Sequence, residues 1–390
     1  MTSLAYPPFL MTSEENSFAR ETIASRKPLI VDQILADNDF PEPVQSALLE
    51  LKNELLTGEI RLLREDTDDR ALWDHDIRPW LGKSWLELPW YLAEAYFFRR
   101  VLEATEYFQP GPGQFQDPYT QLKTREFANA LPEFIAALKL TNNDHTPEGF
   151  HQAVTDALWG NQADLSNLDK DVASSSGSPR RLLRDDTEEA FNFMNAGSLN
   201  IVYFLDNVGK ELYFDLALMD YLLQNDFANG ITAWVKNQPF FVSDVMTADF
   251  TLALNYLQNT PVESARQLAQ RTQNALRGGK IKLETPPYLT SGRMYREMPK
   301  ALTSELAQFD LAILKGDVNY RRLVGDRHWD PTTPVGRAAG YFPTAFLSLR
   351  TLKAELVVGL AQEQLTWLEA NAESDWMTNG SWGLITFLKK

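Results

Sequence analysis

The second half of the chain alternates short apolar runs with helical patterns, and this alternation constrains the fold more than any other feature. Apolar runs of strand length occur at residues 199–205, 231–235, 240–242, 280–284, 311–314, 344–350 and 381–387. Strands that alternate with helices indicate βαβ units and a mostly parallel sheet. Ligands of such sheets bind at the carboxyl ends of the strands. The sequence therefore predicts an α/β fold with its site at that edge.

The first half of the chain has helical periodicity instead. Apolar residues recur at helical spacing over residues 17–38, 44–58, 84–108, 126–140 and 146–160. The segment 172–181, "VASSSGSPRR", is small and polar, and predicts an exposed loop. We therefore expect a mainly helical domain over residues 1–195, followed by a Rossmann-like α/β/α domain over residues 196–390.

Charge and cysteine usage narrow the possible functions. A net charge of −16 and a pI near 4.8 argue against binding to nucleic acid or to anionic lipid. The chain has no cysteine, which excludes disulfides and thiolate metal sites and fits a reducing compartment. It shows no signal-peptide pattern and no run of about 18 apolar residues. We expect a cytoplasmic protein whose anionic substrates meet a local basic site or a metal.

An acid and an amide follow the apolar run at residues 199–205. Asp206 and Asn207 stand there, Gly209 permits a tight turn, and an amphipathic pattern covers residues 210–224. Two side-chain oxygens beside a helix N-terminus suit a hard cation and a phosphate group. The alternative interpretation is an Asx turn that caps the helix.

A second acid repeats this arrangement. Ser243 and Asp244 follow the apolar run at residues 240–242, which predicts a strand, and a helix is predicted to start at Thr247. Asp206, Asn207 and Asp244 could then converge on one cation. All three offer oxygen, and the four histidines are scattered. Mg²⁺ or Mn²⁺ is therefore favoured over Zn²⁺.

Two further segments place basic and polar groups behind apolar runs. Residues 314–329, "LKGDVNYRRLVGDRHW", predict a polar loop that clamps a phosphate and hydroxyl groups; the alternative is a charged surface loop. Arg350 ends the run at residues 344–350 and Lys353 follows it. Basic groups at the carboxyl end of a strand suit an anion, and the alternative is that either residue is a surface charge.

These motifs together resemble the DUF89 family of metal-dependent damage-control phosphatases. The resemblance is carried by residues 204–223, "FLDNVGKELYFDLALMDYLL", by "FFVSDV", "KGDVNYRRLVGDRHW" and "RTLKAE", by "LWGNQADLS" at residues 158–166, and by "SFARETI" at residues 17–23. The Arg-Thr-x-Lys pattern points to one subfamily. Two small departures occur at Val318, where Leu is usual, and at Arg322, where Lys is common.

The resemblance implies roles for individual residues. Asp206, Asn207 and Asp244 would bind a divalent metal, and the two aspartates would be catalytic. Asn161 and Asp164 match family positions near the site. Substrate would contact the metal-binding pair and a wider set: Glu211, Lys236, Asp317, Val318, Asn319, Tyr320, Arg321 and Lys353.

The resemblance also implies an activity. We expect hydrolysis of small phosphomonoesters, sugar phosphates such as fructose 1-phosphate and fructose 6-phosphate, with Mn²⁺ as the favoured metal and Co²⁺, Ni²⁺ or Mg²⁺ as alternatives. One rival, attributed to a branch of the family, is an S-adenosylmethionine-dependent carboxyl methyltransferase, although the chain lacks the usual glycine-rich loop for that cofactor. Another is a non-catalytic sugar-phosphate binder. The sequence does not indicate an oligomeric state.

Overall fold

A computed structural model describes residues 6–138, 144–160 and 181–390 of the chain. Asn161, Asp164 and all but the last residue of the expected loop at 172–181 lie outside these ranges. Within them, no helix has the length and apolar character needed to cross a membrane.

Helices make up most of the first half, as the periodicity predicts. The helix that starts at Phe18 contains a π-helical segment over Thr22–Arg26, between α1 and α2. Helix α5 begins directly after Pro89, the residue that interrupts its sequence pattern. The helices in this half are α1 (Phe18–Glu21), α2 (Lys27–Asp37), α3 (Glu42–Thr57), α4 (Arg70–Ile77), α5 (Trp90–Ala104), α6 (Thr120–Leu138), α7 (Pro147–Trp159) and α8 (Thr187–Met194).

Strands and helices alternate in the second half, which confirms the α/β fold. The strands of the sheet are β1 (Arg181–Asp185), β2 (Leu199–Phe204), β3 (Ala228–Trp234), β4 (Ile281–Glu284), β5 (Leu311–Lys315), β6 (Ala345–Thr351) and β7 (Trp382–Leu388). The helices are α9 (Lys210–Gln224), α10 (Thr247–Gln258), α11 (Glu263–Arg277), α12 (Lys300–Leu306), α13 (Gly316–Val324), α14 (Val335–Ala339) and α15 (Gln362–Asn371). Strand β1 was not predicted.

The seven strands of the described residues form one mostly parallel sheet in the order β1-β7-β6-β5-β2-β3-β4. Strands β6, β5, β2, β3 and β4 run parallel, whereas β7 is antiparallel to β6 and β1 runs with β7. The chain moves from β2 to β3 on one side, and β5 joins β2 on the other. A crevice at the carboxyl end of β2 is therefore the expected ligand position.

The sheet is covered on both faces, as the apolar character of β2 predicts. Ile201 and Tyr203 share a core with α6, α7 and α9, whereas Val202 and Phe204 point into a second core. The division of the chain at residue 195 stays a prediction, although β1, α6 and α7 from before that position contribute to the sheet and its cover.

The segment "FFVSD" is a turn, so its prediction as a strand was wrong. Phe241 and Val242 have φ angles of 43° and 66°, in the left-handed region that strands do not use. With Phe240, they pack into a third core among helices of the first half. The side chains of the apolar run therefore fill part of that core, and the run is not a strand.

Residues 316–324 form helix α13, so the prediction that residues 314–329 form a loop was wrong, whereas the clamp for phosphate and hydroxyl groups stays a prediction. Tyr320, Leu323 and Val324 lie in the core beneath the sheet, and Gly325 ends the helix with a φ of 94°. This left-handed glycine is an ordinary helix stop, and it is the sequence signal that the loop interpretation missed.

Candidate active site

An open pocket with an empty volume of about 550 Å³ lies at the carboxyl end of β2. Its floor and one wall come from the α/β half, and a second wall, here called the N-terminal wall, comes from α1, the π-helical segment, the start of α2 and α5. The pocket is lined by Phe18, Thr22, Arg26, Lys27, Trp90, Glu94, Asp206, Asn207, Phe241, Asp244, Asp317, Val318, Arg321 and Lys353.

Asp206, Asn207 and Asp244 meet at the pocket floor. Asn207 and Asp244 form an isolated antiparallel bridge, and the Val245 N–H donates to the Asp206 carbonyl at 2.8 Å. The backbone thus joins two separate segments at the point where the sequence places their polar side chains. Asp206 and Asp244 are 2% and 0% exposed, so both carboxylates lie inside the protein.

The turn after β2 depends on Gly209. Its φ of 69° and ψ of −129° are accessible to glycine but not to other residues without strain. A Cβ atom at this position would also lie 2.3 Å from the Glu126 Cγ atom. Gly209 therefore lets α9 start immediately behind Asn207.

The turn after β3 carries backbone strain beside the site. Non-glycine residues with positive φ are uncommon, and a β-branched residue such as Val242 there is an outlier. Such strain persists where the surrounding structure holds it in place, and it clusters at functional sites. Here the packing of Phe240, Phe241 and Val242 holds the turn, which directs Ser243 and Asp244 to Asn207.

Charges near the floor are partly balanced by a buried lysine. The Lys236 ammonium lies 3.0 Å from Asp244 Oδ2, and it lies outside the pocket lining. Burial, together with the negative charges of Glu211 and Asp244, raises the pKa of Asp206 well above its usual range. Lys236 and Lys353 oppose this rise in pKa without cancelling it, so a bound cation would relieve the repulsion between these carboxylates.

Glu211 supports Asn207 from behind the pocket. Its Oε2 accepts from Asn207 Nδ2 at 3.0 Å, and its Oε1 accepts from Lys315 Nζ at 3.0 Å. Lys315 also donates to Asp215 Oδ1 at 2.6 Å. Glu211 was predicted to bind substrate, but it is 1% exposed and does not line the pocket. Its role in substrate binding stays a prediction.

Helix α13 sends its residues in different directions. Asp317, Val318 and Arg321 line the pocket. Asn319 donates to the Lys315 carbonyl at 2.7 Å, and the Tyr320 hydroxyl accepts from the Val358 N–H at 3.1 Å, so both support the helix and its surroundings. Their roles as substrate contacts stay predictions.

Two arginines, Arg322 in α13 and Arg350 in β6, donate their hydrogen bonds to other groups of the protein. Arg322 donates to the carbonyls of Tyr288, Leu289 and Arg293, away from the pocket. Arg350 donates to Asp317 Oδ1 at 2.7 Å and therefore fixes a pocket residue from behind.

Arg321 is the centre of a buried ion network. It donates to Asp326 Oδ1 at 2.8 Å and to Glu94 Oε2 at 2.6 Å, and its guanidinium lies 3.5 Å from the centre of the Trp90 ring. Burial opposes its charge, but Asp326 and Glu94 raise its pKa. Lys27 donates to the other oxygen of Glu94 at 2.6 Å. The network therefore joins the N-terminal wall of the pocket to α13.

Sequence reasoning missed the N-terminal wall. Phe18, Thr22, Arg26 and Lys27 received no role, and neither did Trp90 or Glu94. One signal was available, because Glu94 is an acid inside the strongly apolar segment "WYLAEAYFF", where buried acids need partners. No sequence pattern indicated the π-helical segment, although π-helical segments are frequent at functional sites.

The donor set at the floor fits a hard divalent cation. Two carboxylates and one amide oxygen are the ligand types that Mg²⁺ and Mn²⁺ prefer. Over residues 6–138, 144–160 and 181–390, no group of three or more His, Cys, Asp or Glu side chains is arranged to hold a metal. Metal binding by Asp206, Asn207 and Asp244 stays a prediction.

Comparison with known proteins identifies the family. Residues 22–366 match the damage-control phosphatase ARMT1-like domain. The chain is 29% identical to the Mus musculus protein named damage-control phosphatase ARMT1, over 98% of both chains. It is 28% identical to the Danio rerio protein of the same name, over 98% of this chain and 97% of that protein.

A solved structure supports the fold. The crystal structure of a DUF89 family protein from Pyrococcus horikoshii matches with a TM-score of 0.52 at 16% identity, over 95% of this chain and 98% of that chain. The resemblance inferred from the motifs is therefore confirmed. The chain belongs to the family of damage-control phosphatase ARMT1-like domains.

Proposed function

We propose that the protein is a metal-dependent phosphatase that hydrolyses small phosphomonoesters, with sugar phosphates such as fructose 1-phosphate and fructose 6-phosphate as its substrate class. One observation carries the proposal: the bridge between Asn207 and Asp244 places these residues and Asp206 on the floor of a pocket that basic side chains also line. Family membership supports a phosphatase.

Asp206, Asn207 and Asp244 would hold the cation, with Mn²⁺ favoured and Co²⁺, Ni²⁺ or Mg²⁺ as alternatives. A bound divalent cation supplies Lewis-acid stabilisation of the charge that develops on phosphate oxygens. The Lys236 ammonium lies 3.0 Å from Asp244 Oδ2 and forms a buried ion pair with that carboxylate.

The remaining groups would bind the phosphate and prepare the attack. Lys353 and Arg321 line the pocket and offer N–H donors to phosphate oxygens, and the N-terminus of α9 adds its backbone dipole. Asp206 or Asp244 would position the attacking water or attack directly. The P–O bond to the sugar breaks, and a new P–O bond forms to the oxygen of water, either directly or by hydrolysis of an aspartyl phosphate. A proton from this water passes to the sugar oxygen, so that the products are inorganic phosphate and the free alcohol.

The sugar would lie against the N-terminal wall. Phe18 offers apolar surface there and Glu94 offers an acceptor for hydroxyl groups, while Phe241 and Asp317 offer the same two kinds of contact from the α/β half. This combination of apolar and polar groups suits a small polyol better than an extended apolar ligand.

The test is phosphate release from fructose 1-phosphate and fructose 6-phosphate. Chelator-treated protein is compared with protein given Mn²⁺, Co²⁺, Ni²⁺ or Mg²⁺, alongside Asp244→Ala and a control, Asp32→Ala, which changes an exposed aspartate paired with Lys52. We expect metal-dependent release that only Asp244→Ala abolishes. Methyl transfer from S-adenosylmethionine to carboxylates without phosphate release would favour the rival activity instead.

A further inference from the structure

The side-chain amide of Asn207 is held on both sides. Its Nδ2 donates to Asp206 Oδ2 at 2.8 Å and to Glu211 Oε2 at 3.0 Å, and its Oδ1 accepts from Ser243 Oγ at 2.7 Å. The reversed amide would set its oxygen against two carboxylates, which only accept hydrogen bonds when ionised. The surrounding charges therefore select one of the two amide orientations.

We propose that Glu211 and Ser243 are positioning residues that hold the Asn207 oxygen towards Asp244 as a cation ligand. This inference rests on the proposed function. Ser243 directly precedes Asp244 in the strained turn, so one turn delivers both the hydroxyl and the carboxylate. A carbonyl oxygen has two lone pairs, so it can accept from Ser243 and bind a cation together.

Lys315 fixes the orientation of the Glu211 carboxylate. The lysine is fully buried and donates to Glu211 Oε1, while Oε2 accepts from the Asn207 amide. With one oxygen on each partner, Glu211 orients the amide from behind. Groups that orient metal ligands in this way commonly change metal affinity by about 10- to 100-fold when they are lost.

The test is Mn²⁺ affinity, measured by calorimetry on the full chain. We expect Ser243→Ala and Glu211→Gln to weaken binding about 10- to 100-fold, and Ser243→Thr, which keeps the hydroxyl, to bind within a few-fold of wild type. The matched control is Ser348→Ala. Ser348 is 1% exposed, and its hydroxyl has no hydrogen-bond partner among the residues that the structure describes. Urea unfolding in chelator verifies that each variant folds.

The outcomes separate this inference from the proposed function. Wild-type affinity in both Ser243→Ala and Glu211→Gln overturns the inference and leaves the phosphatase proposal intact. Equal losses in Ser243→Thr and Ser243→Ala also overturn it, because they indicate a merely structural serine. The expected losses without phosphate release from any ester support the positioning role and refute the phosphatase. Wild-type protein that binds no divalent cation refutes both.

Discussion

Replacing Lys315 with methionine is expected to destabilise the protein by about 3–5 kcal/mol. The Lys315 ammonium donates to Asp215 Oδ1 at 2.6 Å, to Glu211 Oε1 at 3.0 Å and to the Ala157 carbonyl at 2.9 Å. All three charged side chains are at most 1% exposed. Methionine keeps the length but not the charge, so two buried carboxylates lose their shared cation. Domains unfold at a cost of about 5–15 kcal/mol, so the loss is a large fraction.

The destabilisation should also grow with pH. Burial raises the pKa of Asp215 to about 7, although Lys315 opposes the rise. When folding raises the pKa of a carboxyl group, the protein loses stability as pH rises from the unfolded-state pKa to the folded-state pKa. Above the folded-state pKa, this group causes no further loss. Without Lys315 the folded pKa moves higher. The variant then continues to lose about 1.4 kcal/mol per pH unit above pH 7, where the Asp215 contribution in wild type is level.

Urea unfolding of chelator-treated protein, followed by tryptophan fluorescence from about pH 6 to about pH 8.5, measures both effects. The double variant Lys315→Met/Asp215→Asn is the control, since it removes the acid that titrates and should abolish the extra pH dependence. A loss below about 1 kcal/mol, or a loss that is constant across this range, would refute the assignment of Lys315 as the shared cation of two buried carboxylates.

Three other changes test the fold and the site by the same unfolding assay. Gly209→Ala should cost about 1–3 kcal/mol, because the backbone conformation there is accessible only to glycine. Leu48→Ala should cost about 2–5 kcal/mol and Leu49→Ala about 0.5 kcal/mol or less, since Leu48 is fully buried and Leu49 is 47% exposed. Lys236→Met should destabilise the chelated protein by about 3 kcal/mol, and saturating Mn²⁺ should recover most of this, because a bound cation also neutralises Asp244. Equal losses with and without Mn²⁺ would contradict a cation site there.

Local patterns predict the elements of the sheet well where burial on two faces leaves a continuous apolar run. Strands β2, β3, β5 and β6 and helix α9 lie where their patterns place them. Strand β1 was not predicted because its sequence, "RLLRD", is mostly polar. Its place in the sheet depends on pairing with β7, which is distant in the sequence. Such long-range pairing leaves no local signal.

The candidate site was predictable only in part for a similar reason. Asp206 and Asn207 follow a true strand, so their position could be deduced. Asp244 reaches the same point through a turn. The residues of that turn are apolar because they are buried, so their pattern wrongly predicts a strand. The N-terminal wall could not be deduced at all, because Lys27 and Glu94 meet Arg321 only through tertiary packing.

The position of β7 bears on how the protein can fold during synthesis. In the sheet β7 lies between β1 and β6, yet in the chain it is the last strand. A ribosome would thus have to deliver residues 382–388 before β1, made some 200 residues earlier, could join the sheet. Until then β6 presents an open edge, the kind of surface on which nascent chains associate wrongly and which chaperones shield. A nonsense mutation just before β7 would remove two strands from the sheet rather than one.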